Sequence, residues 1–276
     1  MKIDDALPAH CHARAHRLLG ELALVRDEMG RTTDARPAPE VSGAQPREVY
    51  FEAIVAWRKA ARLAAEVGAP VARRAPQAPS LRELKPGHCL ELITAVQGIV
   101  DDIKQRLQIQ ESVQEQPIES GRQPSDVLAA LVRVNRELSR TLERPFTPSD
   151  VFDVVAQASA YAARLGGTAP QVAFERKRKP ADCYEKLTAC LATAAQLVDK
   201  RGQPAAAVRG TPSEIAPTDV YDLANLVLGE VAFLHALSSD AAPLHAFEPG
   251  PAGHRLPAHV YQLARTLEAQ LASIRS

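Results

Sequence analysis

One short sequence pattern recurs eight times along this chain of 276 residues and constrains its fold more than any other feature. Each copy begins with Pro, continues with a variable residue and then Asp, Glu or His, and ends with Val or Cys followed in most copies by Leu or an aromatic residue. In chain order the copies are Pro8–His12, Pro46–Tyr50, Pro86–Leu90, Pro124–Leu128, Pro148–Phe152, Pro180–Tyr184, Pro217–Tyr221 and Pro257–Tyr261. We number the positions of this repeat from 1 at its proline. Such self-similarity is typical of a repeat protein.

The chemistry of the repeat is that of a helix start. Pro fits the first turn of a helix, where its missing N–H is no loss, and an acidic residue two positions later faces the positive end of the helix dipole. Apolar residues then follow at three- and four-residue spacing, which is the period of a buried helical stripe. One such stripe is Ile93, Val96, Val100, Ile103 and Leu107. The sequence therefore predicts an all-α fold.

The spacing of the eight prolines divides the chain into two halves. Successive prolines lie 38, 40, 38, 24, 32, 37 and 40 residues apart, and the short interval falls between Pro124 and Pro148. The fourth helix must therefore end near Glu143, and the brief link 144–147 leads into the fifth. The sequence predicts two tandem four-helix units, residues 1–145 and 146–276, that correspond helix by helix as a duplication would.

The other six connections are long, about 12 to 18 residues, whereas connections in helical bundles are typically about 2 to 8 residues. They mix Pro with isolated apolar residues, as between Val113 and Ile118, which indicates extended loops attached to the surface. At roughly 3.3 Å per residue, such a loop can run back along a helix of about 20 residues. We therefore hypothesise that at least some successive helices are parallel, with the loops as lengthwise crossovers.

The charge of the chain is balanced, with 33 basic and 33 acidic residues, so no field of one sign attracts nucleic acid or anionic lipid. The one dense basic run, Arg176 to Lys179, has no interleaved aromatic residues and is interpreted as a solvated part of a loop. No apolar stretch approaches the ~20 residues that span a bilayer. The sequence predicts neither a nucleic-acid partner nor a membrane span.

The cysteines and the start of the chain bear on the cellular compartment. The four cysteines show neither CxxC spacing nor the density of a disulfide framework, which favours a reducing compartment. The first residues lack the basic-then-apolar pattern of a signal peptide. We expect a cytoplasmic protein, with the periplasm or secretion as alternatives if a longer natural start precedes Met1.

Known catalytic and cofactor-binding patterns are missing from the sequence, which has no GxxxxGK[ST], GxGxxG, HExxH or GxSxG. We expect neither an enzyme nor a bound cofactor. The strongest metal candidate is a set of His and Cys residues at two helix starts, because imidazole and thiolate bind zinc and copper. Its members are His10, Cys11, His12, His16, His88 and Cys89. The repeat favours another interpretation, since position 4 holds Val in most copies and Cys there acts as a small core residue. We therefore predict no metal site.

Position 5 holds the candidate binding residues Tyr50, Tyr184, Tyr221 and Tyr261, four of the five tyrosines in the chain. The favoured interpretation is that each ring packs into the bundle end while its hydroxyl bonds a loop backbone group. The alternative is a polar-tipped aromatic ring around a ligand mouth, in the second half, where Phe152 completes the set.

The last two repeats gather four histidines near two acidic residues: His235, His245, His254 and His259, with Asp240 and Glu248. Loop histidines are usually solvated, and acid sensing or metal binding is the alternative hypothesis.

The function predicted from these features is that of a non-enzymatic interaction or scaffold module. The seventh helix is apolar around most of its circumference, so it is predicted to be either central in the fold or an interface. It would be the best face for self-association, and we expect a homodimer or another protein partner. The alternative function is a small-molecule or transition-metal sensor that uses the tyrosine-rimmed or His/Cys-bearing helix starts.

Overall fold

The computed structural model describes residues 3–32, 37–70, 80–114, 116–143, 146–238 and 254–274. Helices dominate this part of the chain, which confirms the all-α prediction. The elements are α1 (Pro8–Glu28), β1 (Glu40–Ser42), α2 (Pro46–Val67), α3 (Pro86–Arg106), α4 (Pro124–Thr141), α5 (Pro148–Arg164), α6 (Pro180–Asp199), β2 (Ala207–Arg209), α7 (Pro217–Ala236) and α8 (Pro257–Ser273), with short 3-10 turns at Ile3–Asp5 and Leu81–Glu83. Each helix begins at the proline of a repeat. None of the described helices is long and apolar enough to cross a membrane.

The chain divides into two compact units. Unit 1 comprises Met1–Pro79 and Glu83–Pro145, and unit 2 comprises Ser80–Arg82 and Phe146–Ser276. Unit 1 therefore holds α1 to α4 and unit 2 holds α5 to α8. Residues 144 and 145 of the predicted link lie outside the described residues.

The side chain at position 3 closes each helix start by accepting a hydrogen bond from the backbone N–H of the residue before the proline. Asp150 Oδ2 accepts from Thr147 N at 2.7 Å, and Glu48 Oε2 accepts from Gln45 N at 2.6 Å. Where position 3 is His, the imidazole takes the same role, as His10 Nδ1 does for the Leu7 N–H at 2.9 Å. This local bond explains why the repeat requires an acceptor at position 3.

All four helices of each unit begin at the same end. Residues at positions 1 and 4 of α1 to α4 line one shallow depression: Pro8, Cys11, Pro46, Val49, Pro86, Cys89, Pro124 and Val127. The matching residues of α5 to α8 line a second depression. First turns can meet in this way only when the helices run in one direction. The hypothesis of parallel helices is confirmed, and it extends to every helix of each unit.

Successive helices are parallel without being neighbours in most cases. Both α1 and α2 pack against α3 and α4, and both α5 and α6 pack against α7 and α8, so α1 and α2, like α5 and α6, are diagonal partners. The loop between two diagonal helices crosses the helix that lies between them. Arg136 Nη1 on α4 donates to the Pro37 carbonyl of the loop after α1 at 2.7 Å, and Gln262 Nε2 on α8 donates to the Val172 carbonyl of the loop after α5 at 2.8 Å.

Buried carboxylates also hold the crossovers in place. Glu21 on α1 accepts the backbone N–H of Val113 at 3.1 Å, and Glu230 on α7 accepts that of Ala206 at 2.5 Å. Both glutamates lie at position 14 of their helices, and neither side chain is accessible to solvent beyond 1%. A polar residue inside the bundle is thus tied to a loop donor that would otherwise lack a partner.

The seventh helix is central. Every residue of α7 from Asp219 to His235 is buried within the single chain. This confirms one of the two alternatives predicted for it. Its apolar circumference is already covered, so the prediction that α7 offers the best face for self-association is wrong.

Candidate functional site

The two helix-start ends are the places where the repeat gathers chemistry-bearing residues. The depression in unit 1 encloses about 190 Å³ and that in unit 2 about 230 Å³, both including space open to solvent. Pockets for small molecules typically enclose about 300 to 1,000 Å³ and carry a few polar groups. Only Pro, Val and Cys line these two depressions. They are therefore too small and too apolar to hold a metabolite.

The backbone donors of the helix starts are largely consumed locally. Pro has no N–H, and the N–H before it is bonded to position 3. In six of the eight starts the N–H of position 3 bonds back to the carbonyl before the proline, and in α5 the Asp150 N–H donates to Thr147 Oγ1 at 3.3 Å. Asp126 N and Gln123 O are 3.0 Å apart in this bond, and Asp219 N and Ala216 O are equally close. Helix N-termini bind anions through such donors. Here the four parallel starts of a unit use these donors for their own closure.

The position 4 cysteines donate hydrogen bonds from one helix start to the next. Cys11 Sγ lies 3.2 Å from the Pro86 carbonyl oxygen, and Cys89 Sγ lies 3.2 Å from that of Pro46. Burial raises the pKa of the Cys11 thiol to about 12 and that of Cys89 well above its ordinary value. These groups are protonated thiols that donate, whereas a metal requires thiolates. The prediction of buried core cysteines is confirmed.

The histidines of unit 1 do not complete a metal site with those thiols. His10 and His88 each use Nδ1 to accept a backbone N–H at their own helix start. The rings of His12 and His16 contact each other one helical turn apart in a tilted arrangement, with centroids separated by 4.3 Å. Burial is the first cause that lowers the pKa of both. Among the described residues no group of three or more His, Cys, Asp or Glu side chains is placed to hold a metal ion.

The predicted tyrosines do not surround one mouth. Tyr50 lies in unit 1 and the other three in unit 2. In unit 2 the ring of Tyr261 lies under the Arg178 guanidinium at 4.3 Å, and the ring of Tyr221 stacks on Phe146 at 4.0 Å. Arg178 and Phe146 each stand two residues before the proline of a neighbouring helix. Tyr261 and Tyr221 therefore pack against the starts of two different neighbouring helices.

One of the two remaining position 5 residues of unit 2 fits the same arrangement. Phe152 lies under Arg255, which stands two residues before Pro257, with 4.4 Å between the guanidinium and the ring. Burial raises the pKa of Tyr184, and the charges of Asp219 and Asp222 on α7 raise it further. Position 5 contacts thus reach from α5 to α8, from α8 to α6 and from α7 to α5.

A serine at position 2 makes a parallel contact that the sequence analysis missed. Ser125 Oγ accepts the Ala44 N–H, and Ser149 Oγ accepts the Arg255 N–H, both at 3.2 Å. The donor again stands two residues before the proline of the next helix. The sequence contained a signal for this contact. The donor position, two residues before the proline, has a fixed place in the alignment of the repeats, although the residue type there varies.

The histidines of the last two repeats are not brought together in the part of the chain that the structure describes. His235 is buried against Tyr161, with ring centroids 5.2 Å apart, and its pKa is lowered by burial and then by Arg164. His254 is exposed, and His259 closes the start of α8. His245, Asp240 and Glu248 lie outside the described residues.

A larger depression lies at the opposite end of unit 1, beyond the ends of α1 and α4. It encloses about 580 Å³, including open solvent, and is lined by Gly30, Arg31, Thr32, Ser139, Arg140 and Glu143. Arg31 already forms an ion pair with Glu143 across it. The lining contains both basic and acidic side chains next to the carboxyl ends of two helices. None of its residues belongs to positions 1 to 5 of the repeat.

Comparisons with protein-family models, with curated proteins and with solved structures find no match to this chain. The functional argument therefore rests on its own geometry.

Proposed function

We propose that this chain is a non-enzymatic interaction or scaffold module, built as two tandem four-helix units from one duplicated, eight-fold helix repeat. The observation that carries the proposal is the engagement of the repeat's polar and aromatic side chains with neighbouring helix starts. The position 2 serines, the position 4 cysteines and three of the position 5 aromatic residues contact neighbouring helix starts of the same unit, and position 3 closes its own helix start. What the chain presents to other molecules is therefore its outer surface.

Exposed apolar residues support a protein partner. In unit 1, Leu7 is 59% exposed and Ile118 is 58% exposed, although side chains of this kind are usually covered. Leu7 stands immediately before the first helix start, and Ile118 belongs to the crossover loop that leads to α4. A partner protein that covers them would remove apolar surface from water.

The alternative of a small-molecule or metal sensor finds less support in the geometry. A sensor of this kind needs a polar-lined cavity or a set of free ligands. The depressions at the helix starts are apolar, and the position 5 tyrosines turn toward different neighbours.

Site-specific photo-crosslinking tests the proposal. A photoreactive phenylalanine analogue replaces Leu7 or Ile118 in cells that naturally make the protein, and a third variant carries it at the exposed helical residue Gln105 as the matched control. We expect one discrete crosslinked protein from Leu7 or Ile118 and none from Gln105. Two differently tagged copies show whether this partner is a second copy of the chain.

Two results would overturn the proposal. One is the failure of both positions to give a product above the Gln105 control. The other is a stoichiometric metabolite or metal ion that copurifies with the untagged protein and raises its melting temperature, which would favour the sensor.

A further inference from the structure

Two large apolar side chains are exposed to solvent at the helix-start end of unit 2. Phe174 is 44% exposed and Leu256 is 50% exposed. Both flank His259: the Phe174 ring centroid lies 5.1 Å from that of His259, and the Leu256 N–H donates to His259 Nδ1 at 3.0 Å. The two side chains therefore form one exposed apolar pair beside the start of α8.

Four cations follow Phe174 within five residues, and one of them, Arg178, is paired with acidic residues. Arg176, Lys177 and Lys179 are exposed, and none of them forms an ion pair with another described residue. Lys179 immediately precedes the proline of α6, so it lies at the same helix-start end as Leu256, which immediately precedes the proline of α8. We call Phe174, Leu256 and these three cations the basic apolar patch.

Among the described residues, the acidic residues that neighbour this patch in the chain, Glu175 and Asp182, are already paired. Glu175 forms ion pairs with both Arg178 and Arg265, and Asp182 pairs with Arg178 at 3.4 Å. Asp182 also accepts the Lys179 backbone N–H at 2.7 Å. Because Arg178 and Arg265 take up the local negative charge, the excess charge of the patch is positive, even though the whole chain is neutral.

We infer that the basic apolar patch docks unit 2 onto an anionic lipid surface, with Phe174 and Leu256 inserted below the headgroups and Arg176, Lys177 and Lys179 in contact with them. Interfacial binding requires this combination, because apolar insertion and attraction to anionic lipid are each weak alone. The balanced net charge of the whole sequence does not reveal this patch, because acidic residues elsewhere in the chain cancel its cations in the total.

The shape of this end favours a lipid surface over an acidic peptide. The apolar pair is about half exposed, and the depression beside it is only about 230 Å³ and is lined by residues at positions 1 and 4 alone. An extended peptide would need a groove with alternating pockets. A bilayer interface accepts exposed apolar side chains and surrounding cations together. This inference is independent of the protein partner proposed for Leu7 and Ile118.

Vesicle sedimentation with the full, untagged chain tests the inference. The probes are vesicles of phosphatidylcholine alone and of phosphatidylcholine with phosphatidylserine as a minority lipid. We expect binding to the anionic vesicles that weakens as salt is added. Reversal of three charges in R176E/K177E/K179E should lower the partition coefficient about 100-fold, at ~5-fold or more for each cation. F174S/L256S should lower it as well.

Matched variants separate the patch from general effects. R58E/R106E/R209E makes the same change in net charge at three exposed positions elsewhere, and L7S/I118S removes two exposed apolar side chains of unit 1. Both should retain vesicle binding, and circular dichroism should show every variant folded. Equal loss in the matched variants would overturn the inference, as would absence of binding by the unaltered chain. Soluble polyglutamate that binds as tightly as the vesicles and displaces them would instead identify an acidic macromolecule.

Discussion

The thiol of Cys89 donates to the carbonyl oxygen of Pro46 across two adjacent helix starts, with 3.2 Å between Sγ and O. Cys183 makes the equivalent bond to Pro257 in unit 2, also at 3.2 Å. The acceptor in each case is the position 1 carbonyl of a neighbouring helix. A cysteine at position 4 therefore combines a buried apolar group with a contact that valine cannot make.

Replacement of this cysteine should be tolerated when apolar volume is kept. We expect Cys89→Val to lower the free energy of unfolding by no more than about 1 kcal/mol, because only one hydrogen bond is lost. Cys89→Ala should lower it by more, about 1 to 3 kcal/mol, since it also leaves a void between the helices. Urea denaturation measures both. A larger loss for Val than for Ala would contradict the role of a core residue.

The buried thiols should make stability depend on alkaline pH. Burial raises the pKa of the Cys183 thiol from 9.0 to about 12, and that of Cys190 likewise. The unfolded chain releases these protons while the folded chain still holds them. Their contribution to the free energy of unfolding is therefore complete below about pH 9 and is lost as the pH rises toward 12. Denaturation across this window should show the decline, and Cys183→Val with Cys190→Val should reduce its slope.

Position 3 holds His in some repeats and Asp in others, so the two residue types can be exchanged in a pair of reciprocal variants. His10 accepts the Leu7 N–H at 2.9 Å, and Asp126 accepts the Gln123 N–H at 2.8 Å in the same place of the repeat. A carboxylate keeps the bond and adds a negative charge at the positive end of the helix dipole. We expect His10→Asp to raise the free energy of unfolding by about 0.3 to 1 kcal/mol and Asp126→His to lower it by a similar amount. Thermal denaturation at neutral pH measures both, and changes of the same sign would count against this account.

Local features of the sequence predicted the helix starts, because the proline, the position 3 acceptor and the apolar spacing act within one turn of one helix. Loop length then predicted parallel helices. The position 5 contacts between helix starts could not be predicted in this way, since the contact of Tyr261 with Arg178 requires α8 to lie beside α6. Likewise, the apolar residues around most of α7 predicted that this helix is buried. They could not show that residues of the same chain, rather than those of a partner, cover it.

A buried ion pair connects α1, α3 and a crossover loop. Glu21 accepts from Lys104, and Lys104 Nζ also donates to the Glu111 carbonyl at 2.6 Å. The Glu21 side chain is 1% exposed, so removal of Lys104 leaves a buried carboxylate whose remaining cation is Arg17 on the same helix, with 3.7 Å between Arg17 Nε and Glu21 Oε1. We expect Lys104→Met to lower the free energy of unfolding by about 3 to 5 kcal/mol. The double variant E21Q/K104M should lose less, because the amide can still accept the loop N–H without a charge.

An exposed pair provides the control for this measurement. Arg62 and Glu66 lie 3.1 Å apart on α2, and both are about half exposed to solvent. Solvent screens such a pair, so Arg62→Met should change stability by less than about 1 kcal/mol. Urea denaturation of all three variants completes the comparison. A Lys104→Met effect as small as that of Arg62→Met would show that Glu21 is not held as a buried anion.

The second residue after the end of α3, Gln108, should accept glycine with a gain in stability. Gln108 has φ of +62°, a left-handed conformation that glycine adopts immediately after α2, where Gly68 has φ of +71°. We expect Gln108→Gly to raise the free energy of unfolding by about 1 kcal/mol, because the strain on the side chain is removed. Gln105→Gly, three residues earlier and inside the helix, should lower it by about 0.5 to 1 kcal/mol. Urea denaturation of the two variants distinguishes a specific backbone effect from a general effect of glycine, and a loss of stability in both would contradict the left-handed helix end.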